Sequence, residues 1–214
     1  MDMRLNKMTL LCLTAVLAVA LGLPAAGHAQ TKNISFGTGA MSGTYYPLGV
    51  AISKVWTNAG IGLNVSAEAT GGSVENARHI KNKTMEIGFV ESLVADWAYK
   101  GEEYFKSGAV QNIRGFIALY PNTIQTVVKT NSGIKTYKDL KGKKVACGIQ
   151  GSSSVLNMKI VLESYGIPFS DIRPQYLAYG PAMELLKDGQ VVQQYVGLQR
   201  GDALVKALET VLGA

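Results

Sequence analysis

Short apolar runs of the β type alternate with amphipathic helical patterns, and this alternation constrains the fold more than any other feature of the sequence. Such an order predicts an α/β fold built on mostly parallel sheets. The predicted strands are residues 34–39, 64–70, 85–91, 112–120, 123–130, 144–148 and 173–179. The predicted helices are 44–58, a segment capped by Ser73, then 93–99 after a Ser92 cap, 137–140, 155–165, 182–187 and 200–212.

The N-terminus has the pattern of a secretory signal peptide. Arg4 and Lys7 precede the apolar run 8–23, and small residues follow up to Ala29. This apolar core is shorter than the roughly 20 residues that a membrane-spanning helix needs. The sequence therefore predicts that residues 1–29 are removed on export to the periplasm, and the open alternative is an uncleaved anchor.

Charge and cysteine content exclude several kinds of protein. The formal net charge is +6, and the densest lysine cluster, within residues 135–144, has no interleaved aromatic platform for stacking bases. Cys12 falls in the predicted signal peptide, so Cys147 has no disulfide partner and is expected to be a buried strand thiol. We expect a monomer that does not bind nucleic acid.

The break at Pro121 and Asn122 marks the predicted crossing between two lobes. The first lobe is then residues 30–121 and the second is residues 122–191. Residues 192–214 form a divergent tail that contains one amphipathic helix.

Three predicted strands run into turns that are rich in Gly, Ser and Thr and that open a helix. The turns are residues 39–44, 70–73 and 148–154. Unpaired N–H groups at helix N-termini favour a negative group such as a carboxylate or phosphate. Turns of this kind on two lobes could face each other across a ligand cleft. Each turn taken alone is better explained as an ordinary strand-to-helix connection, and the three turns together shift the balance toward a ligand site.

The sequence does not favour an enzyme. The glycines at 37, 39 and 43 resemble a dinucleotide fingerprint, but three residues instead of two precede the last glycine, and no acid follows the next strand. The sequence contains no nucleophile elbow that could form a catalytic site with His79. No His, Cys or acidic residues have the spacing of a metal site. We therefore predict no catalytic residue, metal or cofactor, with an exported dinucleotide-binding enzyme as a distant alternative. Glu91 either binds a ligand ammonium or hydrogen-bonds a loop.

Several motifs together resemble the TAXI family, the solute receptors of one branch of the TRAP transporters. They lie at residues 36–49, 69–76, 87–90, 119–121, 132–135, 139–143 and 186–190. The resemblance implies a type II periplasmic binding fold, with a ligand cleft at the hinge between two lobes. It also implies a receptor that captures a small carboxylate or amino acid, such as glutamate or glutamine, and delivers it to TRAP permease subunits.

Carried onto this chain, the resemblance implies a set of solute contacts. They are Gly43, Thr44, Tyr45, Gly72, Ser73, Glu91, Ser152, Ser153 and Ser154. Two features depart from the family pattern, because the family often has Gln at the position of Glu91 and continues well beyond Gln190. The sequence therefore predicts a receptor that is incomplete at its C-terminus, or alternatively a truncated remnant that does not bind.

Overall fold

The first sheet consists of three parallel strands with β1 at its centre, in the order β2-β1-β3. The computed structural model describes residues 31–197. The strands are β1 (Lys32–Gly37), β2 (Leu63–Glu68) and β3 (Ile87–Gly88), and the helices that follow them are α1 (Tyr45–Asn58), α2 (Ser73–Asn82) and α3 (Ser92–Lys100). The carboxyl ends of parallel strands meet at one edge, so the turns leading into the helices come together there.

Aromatic side chains dominate the core between the first sheet and α1. Phe36, only 2% exposed, has its ring centroid 4.7 Å from that of Phe89 and 5.9 Å from that of Trp56. Ile34, Leu48 and Val65 complete this cluster. A second cluster joins α2 to α3 and includes Val74, Ala77, Val94 and Ala98. Burial of these apolar faces fixes the helices against the sheet.

The second sheet contains four strands in the order β4-β7-β5-β6. The strands are β4 (Thr123–Val127), β5 (Lys144–Ala146), β6 (Arg173–Gln175) and β7 (Val192–Gly197), and the helices are α4 (Ser153–Ser164) and α5 (Tyr179–Lys187). β7 runs antiparallel to β4 and parallel to β5. The last described strand along the chain thus lies inside the sheet.

The core of the second sheet is largely aliphatic. Leu140, Val145, Met158 and Leu162 are 1% exposed or less, and Val192 of β7 packs with them. All described elements belong to one compact unit that begins at Lys32. Within the described residues, no helix combines the length and apolar character needed to cross a membrane.

The predicted α/β fold is confirmed, but several local predictions are wrong. Residues 112–120 form no strand, and Phe116 and Ile117 in this segment are 82% and 68% exposed. An apolar run forms a strand only where a neighbouring strand can accept its backbone hydrogen bonds. The sequence analysis also assigned no strand to Val192–Gly197, which forms β7.

Ser73 and Ser92 do not cap α2 and α3, because each is the first residue of its helix. The N-cap residues are Gly72 and Glu91. The lobe boundary at residues 121 and 122 stays a prediction. The predicted signal peptide and the predicted helix 200–212 lie outside the described residues.

Candidate ligand-binding site

Four helix N-termini meet at one cleft, with two helices contributed by each sheet. α1 and α2 come from the first sheet, and α4 and α5 from the second. The cleft has about 530 Å³ of empty space, its open mouth included. Its lining residues are Gly39, Ala40, Gly43, Thr44, Tyr45, Gly71, Gly72, Ser73, Asn122, Gly148, Ile149, Ser152, Ser153, Ser154, Leu177, Ala178 and Tyr179.

Tyr45, at the start of α1, brings a phenol into the cleft. Its ring centroid lies 5.0 Å from that of Phe89, and its hydroxyl accepts a hydrogen bond from Asn122 Nδ2 at 3.2 Å. Burial raises the pKa of Tyr45 above its ordinary value, and the hydrogen bonds from Asn122 and Ser73 oppose this only in part. Tyr45 therefore stays neutral and can donate its O–H.

The turn before α2 is held by a buried asparagine. Asn76, on α2, is fully buried, and its amide donates to the carbonyls of Thr38 and Phe89 at 2.8 Å each. Its Oδ1 accepts from the Thr70 hydroxyl, which in turn accepts from the Gly72 N–H. Gly72 has φ 99° and ψ −150°, a conformation that is nearly restricted to glycine. The first turn of α2 is thereby fixed at the ends of β1 and β3.

The serine loop is the segment 148–154, which leads into the first turn of α4. Two of its three serine hydroxyls form hydrogen bonds within the protein. Ser152 donates to the Ile149 carbonyl at 2.7 Å, and Ser154 hydrogen-bonds the Tyr179 hydroxyl at 2.6 Å. Ser153 is 7% exposed and lines the cleft. Gly148 is required at the start of this loop, because its φ is +95° and a Cβ there would lie 2.7 Å from the Ser154 Cβ.

Direct hydrogen bonds connect the two sides of the cleft. The Val74 N–H donates to the Gly151 carbonyl at 3.1 Å, and the Gly180 N–H donates to Ser42 Oγ at 3.1 Å. These two bonds join α2 to the serine loop and α5 to the turn before α1. The described structure is therefore a closed arrangement of the cleft.

The cleft offers hydrogen-bond donors without charged side chains. Among the described lining residues there is no Asp, Glu, Lys, Arg or His. Four helix N-termini supply partial positive charge, the Ser153 hydroxyl and the Tyr45 phenol can donate hydrogen bonds, and Ile149 and Leu177 add apolar surface. The arrangement suits a small anion with an apolar part.

Eight of the nine predicted contacts lie together at this cleft, but their binding roles remain predictions. Glu91 is not among the lining residues. Its N–H donates to Ser73 Oγ at 3.0 Å and its carboxylate accepts from Asn157 Nδ2 at 3.2 Å. Both partners belong to helices, α2 and α4, and not to a loop, and the role of Glu91 toward a solute stays a prediction.

The sequence analysis did not identify Asn122, Leu177, Ala178 or Tyr179 as cleft residues. The Pro121-Asn122 break was recognised, but only as a chain crossing. α5 begins at Tyr179, three residues before the predicted start, so the signal for its N-terminus was missed.

Metal binding and thiol chemistry have no support in the described part of the chain. No group of three or more His, Cys, Asp or Glu side chains is placed to hold a metal there. Cys147, next to Gly148, is fully buried, and burial raises the pKa of its thiol to about 12. The thiol is therefore protonated at neutral pH and a poor nucleophile.

The sequence profile described as the NMT1-like family matches residues 36–201. The chain belongs to this family. In the NMT1-like chain, the match begins near the end of β1 and covers β2 to β7 and all four helices at the cleft.

Three relatives illustrate what the NMT1-like chain is similar to. An Escherichia coli (strain K12) protein named for binding aliphatic sulfonates is 41% identical over 71 residues, which is 33% of this chain and 22% of that protein. The alkanesulfonate-binding protein SsuA from Xanthomonas axonopodis pv. citri, solved with MOPS, has a TM-score of 0.52 and 19% identity over 77% of this chain and 54% of its own. An L-cystine ABC transporter protein from Listeria monocytogenes has a TM-score of 0.53 and 16% identity over 85% and 89%.

These likenesses confirm the type II periplasmic binding fold. The chain spans little more than half of the Xanthomonas protein. The three relatives are named as binding or transport proteins and not as enzymes, in agreement with the sequence analysis.

The predicted membership of the TAXI family is wrong, because the matching family is the NMT1-like family and the relatives are sulfonate-binding or ABC-type proteins. The motifs behind that prediction form the turns around the cleft, at residues 39–45 and 70–73. Their glycines and tyrosines reflect the geometry of such turns and do not identify the transporter. The TRAP permease partner and the glutamate-like ligand were implied only by the TAXI resemblance, so these two predictions lose their basis.

Proposed function

We propose that this chain is the solute-capturing part of an exported receptor for an ABC-type transporter and that it binds a small organic anion, with a sulfonate head group favoured. The convergence of four helix N-termini on a cleft without charged lining residues carries this proposal. Export rests on the signal-peptide pattern of residues 1–29 and on the kind of protein to which the chain is similar.

A sulfonate fits this cleft for three reasons. It is fully ionised at neutral pH, so the helix dipoles attract it. All three of its oxygens accept hydrogen bonds, so donors such as the Ser153 hydroxyl and the Tyr45 phenol suffice to hold it. Its alkyl part can pack on Ile149 and Leu177.

An amino acid fits less well. Its ammonium group would lose water on entering the cleft and would need a carboxylate in exchange. Glu91, the acid considered for that role, is bonded to Ser73 and Asn157 and does not line the cleft. The sulfonate-binding name of the Escherichia coli relative supports the same choice of solute.

Thermal unfolding of the purified protein with C2 to C5 alkanesulfonates, the matching carboxylates, glutamate and glutamine tests this proposal. We expect at least one sulfonate to raise the melting temperature, since a ligand at a hundred times its Kd stabilises the folded state by about 2.7 kcal/mol. Isothermal titration calorimetry then gives the Kd.

Ser153→Ala is the matched variant and Ser164→Ala the control, because Ser164 is an exposed serine at the far end of the same helix. We expect Ser153→Ala to weaken sulfonate binding by about tenfold, the value of a hydrogen bond to a charged group. Stabilisation by glutamate but by no sulfonate would contradict the proposal, and the absence of a cooperative transition would favour a non-binding remnant.

A further inference from the structure

Asn122, a residue of the cleft lining, carries a buried hydrogen-bond acceptor that has no partner among the described residues. Its side chain lies among the lining residues, and its Nδ2 donates to the Tyr45 hydroxyl at 3.2 Å. Its Oδ1 is buried and has no hydrogen-bond partner among the described residues. A buried acceptor left unpaired costs about 1–3 kcal/mol, so this oxygen is a feature that a solute can exploit.

The hydrogen-bonding chemistry of Asn122 Oδ1 differs from that of the donor groups of the cleft. The helix N-termini and the Ser153 hydroxyl are donors for an anion, whereas Asn122 Oδ1 can only accept. Rotation of an asparagine amide about its last torsion is soft, so Oδ1 can turn toward a group in the cleft while Nδ2 moves relative to the Tyr45 hydroxyl. A solute that satisfies both the donors and the acceptor has two different polar ends, one anionic and one that donates a hydrogen bond.

The neutral lining determines what kind of donor can approach. An ammonium would be buried without a counter-charge, because no carboxylate lines the described cleft. A hydroxyl loses less on leaving water and needs only one acceptor. A neutral O–H group is therefore the better partner for Asn122.

We infer that Asn122 is a specificity-determining residue that selects an anionic solute bearing a hydroxyl group, such as a hydroxyalkanesulfonate, over the plain alkanesulfonate. This inference rests on the proposed function and narrows its solute class. It assigns Asn122 a contact with the solute hydroxyl and leaves the anionic end to the helix N-termini.

Pairs of sulfonates that differ only in a hydroxyl replacing a methyl test the inference by calorimetry on the purified protein. The pairs are 2-hydroxyethanesulfonate with propanesulfonate, 3-hydroxypropanesulfonate with butanesulfonate, and 4-hydroxybutanesulfonate with pentanesulfonate. We expect the hydroxyl compound of at least one pair to bind about tenfold more tightly. We expect 2-aminoethanesulfonate to bind more weakly than 2-hydroxyethanesulfonate.

Asn122→Leu should reduce the preference within that pair to about twofold or less, and this ratio is the readout because loss of the bond to Tyr45 can weaken binding of both members of the pair. Asn131→Leu, an exposed asparagine outside the cleft, is the control and should keep the full preference. Melting curves establish that each variant folds, and Asn122→Ala replaces the leucine variant if that one does not.

Equal or tighter binding of the methyl compound in every pair would overturn the inference while leaving a sulfonate receptor intact. Retention of the tenfold preference in Asn122→Leu would also overturn it. Failure of every sulfonate to bind would overturn the proposed function and the inference with it.

Discussion

The two sheets contribute equally to the cleft but are assembled differently. In the first sheet, β1 pairs with β2 on one side and with β3 on the other, and both pairs are parallel. In the second sheet, β7 separates β4 from β5 and pairs with both. Among the described residues, the last strand of the first sheet ends at Gly88, whereas the second sheet depends on residues 192–197.

The hydrophobic cores that support the two sheets also differ. Closely packed aromatic rings of Phe36, Trp56 and Phe89 support the first sheet. An aliphatic cluster that includes Val192 of the late strand supports the second. Two helix N-termini at the cleft thus rest on the first sheet, and two rest on the second sheet, which needs the late strand β7 between β4 and β5. The second half of the cleft is expected to be more sensitive to changes near β7.

The largest effect should come from Val192→Asp. Val192 is 5% exposed within the aliphatic core, so the new carboxylate would be buried without a partner. We expect the free energy of unfolding to fall by about 3–5 kcal/mol in urea titrations followed by circular dichroism. Val127→Asp on β4 is the control, because Val127 is 40% exposed and should cost under about 1 kcal/mol. Equal costs would mean that β7 does not close the second sheet.

Gly72→Ala tests the first half of the cleft. The conformation of Gly72 is strained for any residue with a Cβ, and its N–H is fixed by Thr70. We expect a loss of about 1–3 kcal/mol in stability and a loss of sulfonate affinity of more than tenfold. Gly115→Ala should leave both unchanged, because nothing lies within 4 Å of the position of its added Cβ. Full affinity in Gly72→Ala would show that the first turn of α2 does not contribute to binding.

The smallest effect should come from the hydrogen bond between Ser154 and Tyr179 in the second half of the cleft. Ser154→Ala and Tyr179→Phe should each cost about 1 kcal/mol of stability. In a double-mutant cycle, the second change should cost less once the first is present, because both remove the same bond. Fully additive costs would contradict a direct interaction between the two hydroxyls.

Local patterns predicted most of the first sheet and its helices. β1, α1, β2 and α2 lie within a few residues of their predicted bounds, and eight of the nine suggested contacts lie at the cleft. The predictions of these elements succeeded because a strand followed by a Gly/Ser turn and a helix is specified by neighbouring residues, whereas the binding roles of the contacts stay predictions. The strand predicted at residues 112–120 failed because apolar composition alone cannot supply a partner strand.

The sequence by itself determined the α/β class, the order of most elements and the glycine- and serine-rich turns that open α1, α2 and α4. Only the tertiary structure decided that β7 lies between β4 and β5, that Glu91 bonds Ser73 and Asn157, and that Asn122 and the start of α5 join the cleft. The physical reason is the distance along the sequence between the residues that interact. Turns and helices follow from residues close in sequence, whereas strand insertion and cleft lining depend on contacts between distant segments.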